Sequence, residues 1–142
     1  MGDRIVTVTK GWDEAYGMFL EGEADMVLSY TTSPAYHIVA EEDMSKSAAV
    51  FEDGHYMQVE VAGITATSQQ ADLARSFLEF MVSDAFQSII PTTNWMYPAV
   101  TPADPLPEAF AAPAAKALLL DPAEAAARRD AALDVWLGAL SQ

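Results

Sequence analysis

The sequence predicts an α/β domain built on a mixed sheet flanked by helices, and three observations carry that reading. Short β-branched runs alternate along the chain with stretches of helical periodicity. The 142 residues, 51% of them hydrophobic, suffice for one domain that buries roughly 68–70% of its unfolded surface. The last third changes character, with 15 alanines between residues 99 and 142, so Ala-rich helices are expected to follow the sheet.

Arg4–Thr9 is β-branched and predicts a strand. Trp12, Ala15, Tyr16, Phe19 and Leu20 then fall on one helical face, with Asp13 and Glu14 suited to the positive first turn and Gly22 to the end. Met26–Tyr30 predicts a short strand. Ser33 is placed to cap the next helix and Pro34 to occupy its first position, and that helix is expected to reach Glu42. Two more strands are expected at Ala48–Phe51 and Tyr56–Thr65, the second alternating Met57, Val59 and Val61 with Gln58 and Glu60. Ser68 opens a helix that should bury Leu73, Phe77, Phe80 and Met81, and a shorter helical piece over 84–90 runs into Pro91. Five prolines between Pro98 and Pro113 predict an irregular crossing. Asp121-Pro122-Ala123-Glu124 combines a cap, a first-turn proline and a capping-box acid, and starts a long helix. Leu133, Trp136, Leu137 and Leu140 share one of its faces, and Trp136 and Phe77 are expected in the core.

Charge narrows the function. Seven basic residues against twenty-one acidic ones leave a net charge of −14, which repels phosphate backbones and anionic lipid and favours a cationic ligand. Nucleic acid is therefore not an expected partner. The absence of cysteine removes thiol catalysis, cysteine-based zinc sites and disulfides. No apolar run approaches ~18–20 residues, so no membrane span is expected. Met-Gly-Asp-Arg-Ile-Val lacks the basic region and apolar core of a signal peptide, which leaves either a cytoplasmic chain or the front of a longer one missing.

Enzyme signals are thin. No phosphate-binding glycine loop, nucleophile elbow or zinc-protease motif occurs. His37 and His55 fall on different elements, and a solvated or capping role is the expectation for both. Glu41-Glu42-Asp43 and Glu52-Asp53 read as exposed loop ends, with no acid in an apolar run that would raise its pKa. No metal site and no cofactor are expected.

The aromatic residues are placed differently. Trp12 begins a helix directly after a strand, and Tyr30 ends a strand just before a helix start. Tyr36 lies one turn into that helix, and Trp95 and Tyr97 sit in a proline-bounded loop. Ligands of open α/β sheets bind at the carboxyl ends of strands beside helix starts. Aromatic faces there attract organic cations. Thr31, Thr32 and Ser33 add hydroxyls and free backbone N–H groups at a helix start. Periodicity alone leaves each residue a second reading: Trp12 and Tyr36 as packing residues, Tyr30 and Trp95 as sheet or loop contacts, Thr31–Ser33 as a cap.

Gly11–His37 (GWDEAYGMFLEGEADMVLSYTTSPAYH) and Ile90–Pro98 (IPTTNWMYP) closely resemble the thiamine-binding periplasmic proteins of bacterial ABC importers. The similarity continues through GHYMQVEVAGIT, ADLARSFLEFMVSDAFQ and DPAEAAARRDAALDVW. The resemblance implies one lobe of a two-lobed type II periplasmic binding protein, with residues 1–142 as its carboxy-terminal portion and the amino-terminal lobe and signal peptide absent. It implies a non-catalytic, periplasmic protein that closes on thiamine or a thiamine phosphate and delivers it to a membrane permease. Thiamine is then cargo rather than cofactor. Trp12, Tyr30 and Trp95 become ligand-facing aromatics, the Tyr30-Thr31-Thr32-Ser33 turn a contact to thiamine or its phosphate, and Tyr36 a lining residue. The missing lobe becomes a partner, and the surface it leaves exposed is expected to favour self-association. Thr93 stands where the family's wording has glycine (PTGNW), and a positive φ there would strain a β-branched residue.

Three other readings compete. A polyamine-binding protein should recruit carboxylates rather than this aromatic and hydroxylic set. A small hydrolase or lyase would pair an acid with His37 or His55. An interaction domain without a small ligand would fill the space around Trp12 and Tyr30.

Overall fold

The computed structural model describes residues 2–113 and 115–140. They divide into two compact units, residues 1–29 with 118–142 and residues 30–117.

The first unit opens on a 3-10 turn, Gly2–Arg4, and holds helix α1 (Trp12–Leu20) and the long helix α6 (Pro122–Leu140). Both ends of α1 are set by local sequence. Glu14 in its first turn reaches back to accept the Lys10 N–H at 3.2 Å. Gly22 sits at φ 80, its N–H donating to the Phe19 carbonyl at 3.1 Å while Glu23 N–H donates to the Met18 carbonyl at 2.9 Å. That pair of bonds is a Schellman ending. At the start of α6, Asp121 Oδ1 accepts the N–H groups of Ala123 (2.9 Å) and Glu124 (3.1 Å), the cap that the sequence announces.

The second unit carries α2 (Ser33–Glu41), β1 (His55–Tyr56), α3 (Ala71–Met81), α4 (Asp84–Gln87) and α5 (Ile90–Thr93). A 3-10 turn, Glu108–Phe110, packs on α2. The only ladder among the described residues joins β1 to β2 (Ala117–Leu118), with His55 N–H on the Lys116 carbonyl at 2.9 Å. The expected irregular crossing after Pro98 is observed: it holds no α-helix and only that single turn. Buried Gln87 fixes its start, giving Nε2 to the Met81 carbonyl (2.6 Å) and accepting the Ala99 (2.7 Å) and Val100 (3.2 Å) N–H groups. The core of this unit centres on Thr32, Ala35, His37, Gln87, Pro91 and Phe110.

Several expectations are corrected. Residues 4–9, 26–30, 48–51 and 57–65 form no ladder, although their composition is that of strands. Composition suits a residue to a pleated surface but supplies no neighbouring strand to complete it. α2 is capped at Thr32 rather than Ser33, and α3 starts at Ala71 rather than Ser68. The piece expected over 84–90 is two short helices, because Pro91 opens α5 instead of ending a helix. Phe77 is 56% exposed and Trp136 46%, so neither is a core residue. The apolar residues of α3 and α6, Leu73, Phe77, Phe80, Leu133, Trp136 and Leu137 among them, stay largely exposed. Among the described residues no helix is long and apolar enough to cross a membrane.

The exposed surface expresses the same fact in area. The chain presents 11184 Å², whereas a folded monomer of 15.3 kDa presents about 7,100 Å² and two separately folded units of these sizes roughly 8,500 Å².

α2 ends in a polar knot. Glu42 adopts φ 56, and the chain turns so that Asp43 N–H donates to the His37 carbonyl at 3.0 Å. Lys46 Nζ donates to Asp43 Oδ2 at 2.5 Å, and Ser45 N–H to Asp43 Oδ1 at 2.8 Å. The lysine hydrogen bond foremost, then the serine, holds the Asp43 carboxyl well below the usual carboxylate range.

Two outcomes test these local accounts. Gly22→Ala should cost about 1 kcal/mol in urea unfolding, because the left-handed backbone penalises a Cβ that meets no neighbour there. Gly17→Ala, inside α1 and equally unobstructed, should add about 0.5–1 kcal/mol. Asp43 contributes its ion pair above the ordinary carboxylate pKa of about 3.9, and that contribution is lost only as pH falls through its depressed folded value. The Asp43 carboxyl-carbon resonance should therefore stay flat from pH 7 to pH 3, and titrate inside that window once Lys46→Met removes the ammonium.

Candidate functional site

The second unit gathers most of the residues that the sequence singles out. Ser33 N–H donates to the Tyr30 carbonyl at 3.0 Å, and Tyr30 N–H donates back to Ser33 Oγ at 3.3 Å. These two bonds make residues 30–33 a closed turn that delivers the chain into α2. No acid occupies the first turn of α2, so the partial positive charge of its N-terminus is not neutralised there by a side chain of that turn. Thr32 is 4% exposed, and its Oγ1 is a buried polar atom with no hydrogen-bond partner. Leaving a hydroxyl in that state costs on the order of 1–3 kcal/mol. Sites that give up stability in this way call for a functional explanation.

Tyr36, one turn into α2, meets Trp95 edge to face, with ring centroids 5.0 Å apart and planes at 86°. Trp95 follows α5, whose end is tied by Thr93 Oγ1 donating to the Ile89 carbonyl (2.7 Å) and Asn94 N–H donating to the Ile90 carbonyl (2.9 Å). Thr93 lies inside that helix and has no positive φ. The left-handed position is Trp95 itself, at φ 56. A bulky residue held there stores roughly 1–3 kcal/mol of strain, a feature that concentrates at binding and catalytic sites. The glycine expected at position 93 is therefore not required by the backbone, and the threonine leaves Trp95 in place.

Trp12 belongs to the other unit and is described with its own neighbours. It opens α1, stacks on Tyr16 with centroids 4.6 Å apart, and donates Nε1–H to Ser29 Oγ at 3.0 Å. Its ring is 48% exposed, so it is not a core residue.

Of two neighbours of the aromatic pair, sequence reasoning missed Phe110 and singled out Tyr97 without giving it a site role. Phe110, 3% exposed, lies nearly parallel to Trp95, with centroids 6.4 Å apart and planes at 10°. It is the single aromatic in the proline-rich crossing, a signal available in the sequence. Tyr97 meets Phe110 edge-on at 6.3 Å, and its phenol is hydrogen-bonded to the Thr31 side chain. Burial pushes the Tyr97 phenol above its ordinary value, so it is neutral at physiological pH.

The histidines divide. His55 caps as expected, its Nε2 accepting the Phe51 N–H at 2.9 Å. His37 is 1% exposed rather than solvated, and its Nδ1 lies 2.6 Å from Glu41 Oε2. His37, Glu41 and Asp43 bring potential metal-ligand atoms within 4.8 Å of one another. The Lys46 ammonium is paired with one of the three, Asp43. A groove of about 420 Å³ opens between residues 57–62 and α3–α5, past Met81, Phe86 and Ile90. Phe86 and Tyr97 are its aromatic lining, and none of Trp12, Tyr30–Ser33, Tyr36 and Trp95 lines it.

Comparison with known proteins follows the same lines. The model of the bacterial extracellular solute-binding protein family matches residues 3–88. The thiamine-binding periplasmic protein of Escherichia coli (strain K12) is 54% identical over all 142 residues, which cover 43% of that relative. Its counterpart in Brucella melitensis biotype 1 is 49% identical over 141 residues, 98% of this chain and 42% of the relative. A solved structure titled periplasmic thiamin binding protein superposes with a TM-score of 0.88 at 53% identity, over 99% of this chain and 44% of the other. The chain thus spans less than half the length of the relatives it matches. Its family model covers most of the sequence, relatives keep about half of its residues, and the backbone follows a solved member throughout: the chain belongs to the bacterial extracellular solute-binding proteins.

Proposed function

We propose that this chain is the carboxy-terminal portion of a two-lobed periplasmic protein that binds thiamine, or a thiamine phosphate, and hands it to the permease of an ABC importer. It performs no chemistry and needs no cofactor. Its relatives are named for thiamine binding and for the periplasm, which supports both the ligand and the compartment.

The observation that carries the reading is the Tyr36–Trp95 corner beside the turn at the start of α2. Thiamine has a fixed positive charge on its thiazolium ring, and aromatic faces attract such a cation by about 0.5–2 kcal/mol each. The same ligand ends in a hydroxyl or phosphate. The N-terminus of α2, with the turn hydroxyls of Thr31, Thr32 and Ser33, suits that end. Tyr30 adds an exposed ring to the turn, and Trp12 stays in the proposed set for its exposed indole. A polyamine would want carboxylates beside the rings, and no acid lies in the 30–36 segment.

The uncovered apolar faces of α3, α6 and residues 57–61 support a partner of the kind the relatives' greater length implies. In this account the amino-terminal lobe covers part of them and closes over the ligand. The chain by itself then binds thiamine more weakly than a full-length relative and tends to self-associate.

A tryptophan-fluorescence titration tests the proposal. Thiamine should quench the chain saturably, and spermidine should not. Trp95→Ala and Tyr36→Ala should each weaken binding by roughly five- to tenfold, the loss of about 1 kcal/mol per aromatic contact. Trp12→Ala should lower affinity as well. Equal thiamine affinity in all three variants contradicts the assignment.

A further inference from the structure

Trp95 cannot be held where it is by its own backbone. At φ 56 an indole-bearing residue sits in a region that bulky side chains disfavour, and α5 has already ended. Something outside the loop must fix the ring. Tyr36 touches it from α2, but Tyr36 is itself partly exposed and meets it only edge to face.

The buried contact comes from the proline-rich crossing. Phe110 is the largest side chain in that stretch and almost wholly buried, in a 3-10 turn closed by its own N–H on the Pro107 carbonyl at 2.8 Å. Its ring runs nearly parallel to Trp95 and takes Tyr97 on edge, so one phenyl group engages both aromatics that flank Met96. Both separations fall in the range of favourable aromatic pairs. The turn that carries Phe110 packs on α2, the helix that also carries Tyr36. Tyr97 adds a second tie, because its phenol is hydrogen-bonded to Thr31 in the turn that leads into α2. The loop bearing Trp95 is thus tied to the start of α2 at one point and backed by a buried ring at another.

We propose that Phe110 and Tyr97 are positioning residues that set the Trp95 indole against the start of α2, and so determine affinity for the cationic ring of the ligand. The ligand assignment rests on the function proposed above; the positioning of Trp95 does not. Phe110 acts through Trp95, as a rigid planar backing, and Tyr97 acts by joining the loop to Thr31.

The test reads the indole and the ligand separately. The three tryptophans give three indole N–H cross-peaks in a 1H–15N spectrum of the labelled chain. In Phe110→Leu, which keeps apolar bulk and loses the plane, the Trp95 cross-peak should shift or broaden while those of Trp12 and Trp136 stay in place. Thiamine affinity should fall about five- to tenfold with cooperative thermal unfolding retained. Tyr97→Phe keeps the ring on Phe110 and removes only the hydroxyl; it should move the Trp95 cross-peak less and weaken thiamine about two- to threefold. Phe110→Tyr, planar again, should restore part of what leucine loses. An unmoved Trp95 cross-peak in both Phe110→Leu and Tyr97→Phe overturns the proposal. So does a moved cross-peak with unchanged thiamine affinity. If Phe110→Leu unfolds the chain, Tyr97→Phe decides by the same two readings. A chain that ignores thiamine before any substitution refutes the ligand assignment instead, and a moved Trp95 cross-peak would still establish the positioning.

Discussion

The edge-to-face contact of Tyr36 with Trp95 joins the two segments on which the site depends. One is the closed turn that feeds α2; the other is the loop that leaves α5 through a left-handed tryptophan. Each segment is anchored by hydrogen bonds of its own: Gln87 holds the chain beyond Pro98, and Ser33 closes the turn on Tyr30. A strained residue persists only where its surroundings over-determine it. Here the surroundings are two rings and a phenol–hydroxyl bond, and they leave a polar orphan, Thr32, next to them in sequence. The strain and the unmet hydroxyl both lie in the segments that the proposed ligand would engage.

Local chemistry was legible wherever it needed only a few neighbouring residues. The Schellman ending at Gly22, the Asp121 cap and the two helices around Trp12 and Tyr36 follow from spacing and turn residues. Pairing was not legible. Residues 57–65 have the alternation of a strand, yet alternation fixes a face and not a partner, and only His55–Tyr56 joins a ladder. Burial was misjudged for the same reason. Phe77 and Trp136 lie on apolar stripes, but a stripe is buried only if something covers it. His37 escaped because its burial depends on packing that spacing does not show. Within the site, Trp95 could be singled out from its proline-bounded loop, whereas Phe110, fifteen residues further on, could be placed behind it only by the fold.

The uncovered faces and the family assignment point the same way. Many of the chain's large apolar side chains are exposed, Leu28, Val61, Leu73 and Val135 among them. The strand-like segments that form no ladder are among its most exposed apolar stretches, Val59 and Val61 included. The relatives are more than twice as long, and the proposed amino-terminal lobe would be what covers them.

The most direct measurement is a 1H–15N titration of the labelled chain with thiamine, following backbone amides. The account predicts that perturbations concentrate on Thr31, Thr32 and Ser33 at the start of α2, on Tyr36, and on Asn94–Met96 around the left-handed tryptophan. Perturbations confined to residues 57–62, Met81 and Phe86, or spread evenly along the exposed helices with the Tyr30–Ser33 turn unmoved, would contradict it.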